Sequence, residues 1–439
     1  HDTKLKLVGN QQSATFSDLD LSMPHSHLTA DSLYAEYGKW STDRTFTFRT
    51  TSISGHITPR DLAPLYCKLS SLTDAIDLSL SAEGNEQEIR VKKCHVATKN
   101  EGIMLRATAQ ISRPFDQQKR NLHADINTLH INSDEMHSWA DVLMPDHQED
   151  RLINAIHEIN YNGTVDYAAN GNLFSTGNLT TGIGHATYDL TYDATHFLTG
   201  TINGDSINLG KLQEDERFGT TSFDLDLAMN LTSTSPFPVG KASGKIYNIY
   251  YNGYNYQNID LDARSTATQI EGTFNIDDEN VKAYTGFAYA DLPTKDINLN
   301  ILLERFCPHN LHLTSSHIGE SLSLNSSIQL SGHDFKHLYG SATMEDINLA
   351  TPTDSYHLDG IMLHAQKLDN GESHYHIKSD ILSGDIQGET TLTDIVNSFI
   401  HQMSHHLPII FKPQQDNSTV SASHFTYDLT LTDAPILHH

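Results

Sequence analysis

Cysteine is scarce in this chain. Three residues in 439, Cys67, Cys94 and Cys307, are odd in number and far apart. That spacing excludes a dense disulfide framework and a cysteine-based zinc cluster, leaving room for one disulfide plus a free thiol. Basic residues are also few, 28 Lys+Arg against 55 Asp+Glu, for a formal net charge of −27. Such a balance argues against nucleic-acid backbones as partners. No long apolar run occurs. The stretch Leu407 to Phe411, interrupted by Pro408, falls far below the roughly 20 residues of a membrane-spanning helix. A Gly-x-Ser-x-Gly nucleophile elbow and a Gly-x-x-x-x-Gly-Lys-Ser/Thr phosphate loop are both missing. The chain opens at His1 without a basic segment followed by an apolar one, so any signal or anchor is expected to lie outside it, in a longer protein.

What is present is period-two alternation, the mark of strands wetted on one side. Phe223, Leu225, Leu227, Met229 and Leu231 alternate with Asp224, Asp226, Ala228 and Asn230. Ile297, Leu299, Ile301 and Leu303 do the same against Asp296, Asn298 and Asn300. Weaker copies stand at Leu322/Leu324, Ile328/Leu330 and Leu429/Leu431. Asn162-Gly163, Asn203-Gly204, Asn252-Gly253 and Asn370-Gly371 read as hairpin turns, because both residue types tolerate positive φ. A loose repeat runs through the pattern: an apolar residue, a polar one, then Gly, as at Leu198-Thr-Gly200, Ile270-Glu-Gly272, Leu338-Tyr-Gly340 and Leu382-Ser-Gly384. Its irregular spacing fits no fixed-period repeat class. The expected fold is mostly β, a long antiparallel meander of quasi-repeated strand units over 1–439.

Helical interruptions are expected over 59–69, 134–159 and 394–406. The first has Thr58 as N-cap and Pro59 at the first helical position. In the second, about His147 to Ile159, Asp146 and Glu149 suggest a capping box, and Leu152, Ile153, Ile156 and Ile159 share a face. The third carries Ile395, Phe399 and Met403 four apart, and Pro408 follows it. These helices read as caps or plugs beside a sheet.

Twenty-seven histidines invite a metal hypothesis. Yet His401 and His405, four apart, lack the Glu of a zincin motif, and the pairs His25/His27, His309/His312 and His374/His376 read as solvated side chains on polar faces. Asp277-Asp278-Glu279-Asn280 lacks the alternation of a calcium loop and reads as an acidic turn. Tyr247, Tyr250, Tyr251, Tyr254 and Tyr256 suit either a ligand platform or ordinary strand positions, with the strand reading preferred. No catalytic residue, metal ligand or cofactor is assigned.

The segments His56-Ile-Thr-Pro-Arg-Asp-Leu-Ala-Pro64, Gly200-Thr-Ile-Asn-Gly-Asp-Ser-Ile-Asn-Leu-Gly-Lys-Leu212, Gly253-Tyr-Asn-Tyr-Gln-Asn-Ile259 and Glu271-Gly-Thr-Phe-Asn-Ile-Asp-Asp-Glu-Asn280 together resemble the central part of the TamB family within the AsmA-like superfamily. The resemblance implies a non-enzymatic protein of the Gram-negative envelope, located in the periplasm and anchored in the inner membrane. It also implies an Omp85-type outer-membrane partner and a long curled β-sheet whose apolar groove carries phospholipids or assists outer-membrane protein assembly. The chain departs from that family in showing neither the anchor nor a recognisable C-terminal domain.

Alternation by itself supports a compatible picture, with Leu, Ile, Phe and Met on one face of a trough where acyl chains could lie. About 25 strands at about 4.8 Å would extend on the order of 120 Å. The residues expected to line such a groove are Phe223, Leu225, Leu227, Met229, Leu231, Ile297, Leu299, Ile301 and Leu303. The same alternation would serve a closed sandwich. The competing reading is therefore a cell-surface adhesin or carbohydrate-binding protein of discrete β domains, with a secreted hydrolase on a β scaffold as a third.

Overall fold

A computed structural model describes residues 2–37, 46–64, 66–143, 150–231, 238–313, 321–351, 354–391, 394–395 and 424–432. The chain is mostly β, with antiparallel strands following one another in sequence. It divides into two units, His1–Thr232 and Ser233–His439.

The first unit contains β1 (Asp2–Gly9), β2 (Ser13–Ser22), β3 (His27–Tyr37), β4 (Phe46–Thr50), β5 (Ile53–Ile57), β6 (Ile76–Asn85), β7 (Glu88–Thr98), β8 (Ile103–Ser112) and β9 (Asn121–Asn132), then β10 (Glu158–Tyr167), β11 (Leu173–Thr181), β12 (Gly184–Tyr192), β13 (Phe197–Asn208) and β14 (Phe218–Asn230). Each strand pairs with its neighbours in sequence, except that β4 and β5 together fill one position between β3 and β6. The second unit contains β15 (Val239–Tyr251), β16 (Tyr254–Ser265), β17 (Gln269–Asp277), β18 (Val281–Asp291), β19 (Lys295–Phe306), β20 (Ser321–Gly332), β21 (Leu338–Ala350), β22 (Ser355–Lys367), β23 (Ser373–Ser379), β24 (Leu382–Glu389) and β25 (His424–Leu431), paired in order. Alternation drives this outcome. Each strand can bury one face and hydrate the other, and short hairpin connections make antiparallel neighbours.

Two of the four Asn-Gly pairs are turns: Asn252-Gly253, with φ of 50° and 87°, and Asn370-Gly371, with Gly371 at 91°. The other two are corrections. Asn162-Gly163 lies within β10 and Asn203-Gly204 within β13. Their glycines sit under aromatic rings. The Phe223 ring lies 2.6 Å from where a Cβ on Gly204 would stand, and Tyr161 covers Gly163 and Gly177. A missing side chain here gives an aromatic from the neighbouring position a flat seat, a known use of glycine in strands.

The Gly repeat marks another device. Gly200 and Gly340, at the fourth and third residues of their strands, have φ of 136° and 140°. A Cβ on either would strike a carbonyl oxygen of the preceding strand, Asp189 or Gln329. Only glycine adopts that backbone, which bends the strand as it leaves the turn. Gly340→Ala is expected to lower stability by about 1–3 kcal/mol, whereas Gly286→Ala, with nothing within 4 Å of its Cβ position, should stay within about 0.5 kcal/mol. Urea midpoints of the two variants check this.

The helices differ from expectation in ways the chain explains. Two 3-10 turns, Pro59–Leu62 and Cys67–Ser71, replace a helix over 59–69. Pro64 has no N–H for an i→i−4 bond, and the Thr58 hydroxyl donates to the carbonyl of His25 (2.7 Å) rather than capping. Within 134–159 the chain forms α1 (Ser133–Leu143), capped by Asn132 Oδ1 accepting from the Glu135 amide, and α2 (Asp150–Ile156). The proposed cap at 146–149 lies outside the described residues. Helix α2 stops because His157 turns left-handed (φ 59°). Ile159 is then a strand residue, paired with Ile131 and Thr181. A short helix absent from the expectations, α3 (Leu209–Gln213), is capped by Asn208 Oδ1. Of 394–406 only Asp394 and Ile395 are described. There Thr391 and Asp394 bond reciprocally, the Thr391 amide to Oδ2 and the Asp394 amide to Oγ1.

Candidate functional site: the uncharged face of each unit

The antiparallel register assembles the alternating residues into rows that cross the strands. In the first unit Leu225 stands opposite Ile202, and the row continues through Tyr188, Gly177, Gly163, Ile126, Ala107, Cys94, Leu80, Ile53, Ala30 and Leu19. In the second unit Leu299 belongs to the row Ala242, Ala263, Gly272, Phe287, Leu299, Ile328, Ala342, Leu363, Ile377, Gly384, Leu429. Neither row contains a charge. Eleven strands at about 4.8 Å make the second row about 48 Å long.

The structure brings the proposed lining residues together within each unit. Phe223, Leu225, Leu227 and Met229 share the uncharged face of β14, half-buried, while Asp224 and Asp226 are exposed opposite. Leu231 lies just past the strand, 54% exposed. Ile297, Leu299, Ile301 and Leu303 are half-buried on β19, with Asn298 and Asn300 exposed opposite. Phe274, in the Ile301 row, is 37% exposed. Such partial exposure among the described residues is unlike a sandwich, whose facing sheets interdigitate and bury their inner side chains.

Fully buried side chains gather at the strand ends. In the second unit Leu311, wholly inaccessible, seats the 307–313 turn on Ile259, Ile276, Val281 and Ala283. Beneath it the Asp278 carboxylate, 4% exposed, accepts from the amides of Gln257 (3.0 Å) and Asn280 (2.8 Å) and from the Tyr254 hydroxyl. The acidic turn 277–280 is thus knit by one buried carboxylate. At the opposite strand ends Ile395 packs on Ala365, Tyr375 and Ile386. In the first unit Ala140 and Val142 of α1 and Leu72, beside the Cys67–Ser71 turn, are buried. Leu311 escaped sequence reasoning because a lone Leu after Pro308 has no periodicity.

The tyrosine-rich stretch divides between faces. Tyr254 and Tyr256 meet edge-on, their ring centroids 4.9 Å apart, and pack against the Leu311 cluster, whereas Tyr247 and Tyr250 are exposed. It forms no single platform. Burial raises the pKa of Tyr254 and Tyr256, aided in Tyr254 by its bond to Asp278. The three cysteines are unpaired thiols, and burial raises that of Cys94. Among the described residues no three His, Cys, Asp or Glu side chains form a metal-holding group. His401 and His405 lie outside them.

Several histidines meet carboxylates on the polar faces. His123 Nδ1 lies 2.7 Å from Asp166, and His374 and His376 share Asp385 Oδ1 at 2.9 and 3.0 Å. The bond to Asp166 raises the His123 pKa against the opposing effect of burial, with Coulomb attraction to Asp166 and Asp125 adding to the rise. A raised folded-state pKa contributes stability below the ordinary value near 6.5 that is lost as pH climbs through the folded value. His123→Asn should therefore lower the urea midpoint more at pH 5.5 than at pH 8.5. The Asp385 pKa is lowered by His376 and then His374, so its contribution fades in the acid range instead.

Comparison with family models, curated proteins and solved structures finds no match to this chain.

Proposed function

We propose that the uncharged faces bind acyl chains, and that the chain is a non-enzymatic segment of a periplasmic conduit of the AsmA-like kind. In this reading it carries phospholipids between the inner membrane and an outer membrane bearing an Omp85-type partner, or assists outer-membrane protein assembly there. The observation that carries the reading is the uninterrupted uncharged row in each unit, partly exposed at every member but the buried Ala30. A tail lying against such a face gains about 0.8 kcal/mol per methylene removed from water. Similar lining at successive strands keeps neighbouring positions nearly equal in energy within a unit, so a lipid can step along without a deep trap.

Native mass spectrometry of the purified chain, with lipid extraction, tests this. Co-purified phospholipid, or saturable binding of added phospholipid, is the expected result. A folded protein that neither retains nor binds lipid overturns the reading.

A further inference from the structure

In the second unit the face that carries the uncharged rows bears lysines at one set of strand ends and none at the other, and this bears on how an amphiphile lies there. The row through Ile297 continues across Leu330 and Gly340 to Ala365, where Ile395 covers it. Two residues outward from its members, on the same face, stand Lys295 and Lys367. They lie three strands apart, about 14 Å. Lys295 Nζ is 2.8 Å from Asp291 Oδ1 and 5.2 Å from the ring centroid of Phe335, which is 63% exposed and stacks on Tyr289 at 6.0 Å. Lys367 is exposed and makes no ion pair among the described residues. An ammonium carries three donors, so Lys295 can hold Asp291 and still offer protons to a second anion.

At the other strand ends the same face stays apolar to its limit, Val281 pairing with Phe306, then Leu322, Leu349 and Tyr356. The turns there carry Asp277, Glu279, Asp354 and Asp380, and the cations beside them, Lys282 and Arg305, are engaged by Glu304 and by the carbonyl of Asp278. The lysine end is acidic too, with Asp334, Asp369 and Glu372 in its turns and Asp291 beside Lys295.

We infer that this face takes a phosphate-bearing amphiphile in one orientation, its headgroup at the Lys295 and Lys367 end and its tail running along the strands toward Phe306. The inference rests on the acyl-binding reading above. From Lys295 to Leu303 a strand covers about 27 Å, and a tail spans about 15 Å, half a bilayer core. A tail anchored at the lysines therefore ends on uncharged rows before it reaches the Leu311 plug. The reverse orientation sets the phosphate against Phe306, Leu322 and Leu349, where this face offers no cation. Phe335 and Tyr289 at the lysine end suit the ester region of an amphiphile, where aromatic side chains settle.

The test compares 1-oleoylglycerol 3-phosphate with neutral 1-oleoylglycerol, binding each to the whole chain and to a Lys295→Gln/Lys367→Gln variant. The wild type should prefer the phosphate amphiphile by about tenfold, at about fivefold or less per lysine. The variant should lose that preference and keep its affinity for the neutral compound, and Lys→Arg replacements should restore it. Raising salt from 50 to 500 mM should shrink the wild-type preference, a measurement independent of variant folding. Equal preference in wild type and Gln variant, or a salt-insensitive preference, overturns the orientation while acyl binding stands. Failure of both compounds to bind the wild type removes the acyl reading itself. Inorganic phosphate binding as tightly as the amphiphile would mark a plain anion site and overturn the inference.

Discussion

Leu299→Asp is expected to weaken acyl binding to the second unit by at least a hundredfold, while Asn298→Asp leaves it unchanged. The two positions are adjacent on β19 and differ in the face they present, Leu299 half-buried between Phe287 and Ile328, Asn298 exposed between Ala288 and Gln329. Removing the leucine contact forfeits about 1.5–3 kcal/mol of apolar burial. The carboxylate that replaces it must then be desolvated beneath a hydrocarbon tail, a further cost of several kcal/mol. Leu227→Asp against Asp226→Asn repeats the comparison in the first unit. Titration of a fluorescent fatty acyl probe, with circular dichroism confirming the fold, measures both. Similar losses from the two faces would refute the assignment of the uncharged face as the binding surface.

Leu311→Ala is expected to cost about 3 kcal/mol of stability. Its side chain is fully inaccessible and touches Ile259, Ile276, Val281 and Ala283, so truncation removes transfer free energy and leaves a cavity that β16, β17 and β18 cannot close by moving together. Leu302→Ala, at a position 44% exposed on the polar face, should cost no more than about 0.5 kcal/mol. Urea unfolding followed by circular dichroism gives both values. A Leu311→Ala cost below 1 kcal/mol would mean that the 307–313 turn does not hold the end of the apolar face.

The strands were legible because their signal is local and repeated. Phe223 to Met229 and Ile297 to Leu303 each alternate over seven residues, and a one-residue slip of an antiparallel pair would turn the whole apolar set to the other face. The helices were less legible. Pro64 divides the first into two 3-10 turns, and His157 ends α2 so that Ile159 can join the apolar row beside Ile131. Asn-Gly misled at Asn162 and Asn203 for an informative reason. The dipeptide reports permission for positive φ, whereas at these two sites glycine is used for its missing side chain, beneath Tyr161 and Phe223.

The sequence by itself determined the fold class, the antiparallel order and the division of each strand into an uncharged and a polar face, because period-two alternation and short hairpins are properties of neighbouring residues. Only the tertiary structure decided that Leu311, Ile395 and α1 close the strand ends while the rows between them stay half-exposed. It also decided that Tyr254 and Tyr256 part company with Tyr247 and Tyr250, and that Lys295 and Lys367 stand together at one end of one face. Each of these depends on cross-strand register and turn geometry summed over several hairpins, so residues 72 positions apart become neighbours with no trace of it in the local pattern.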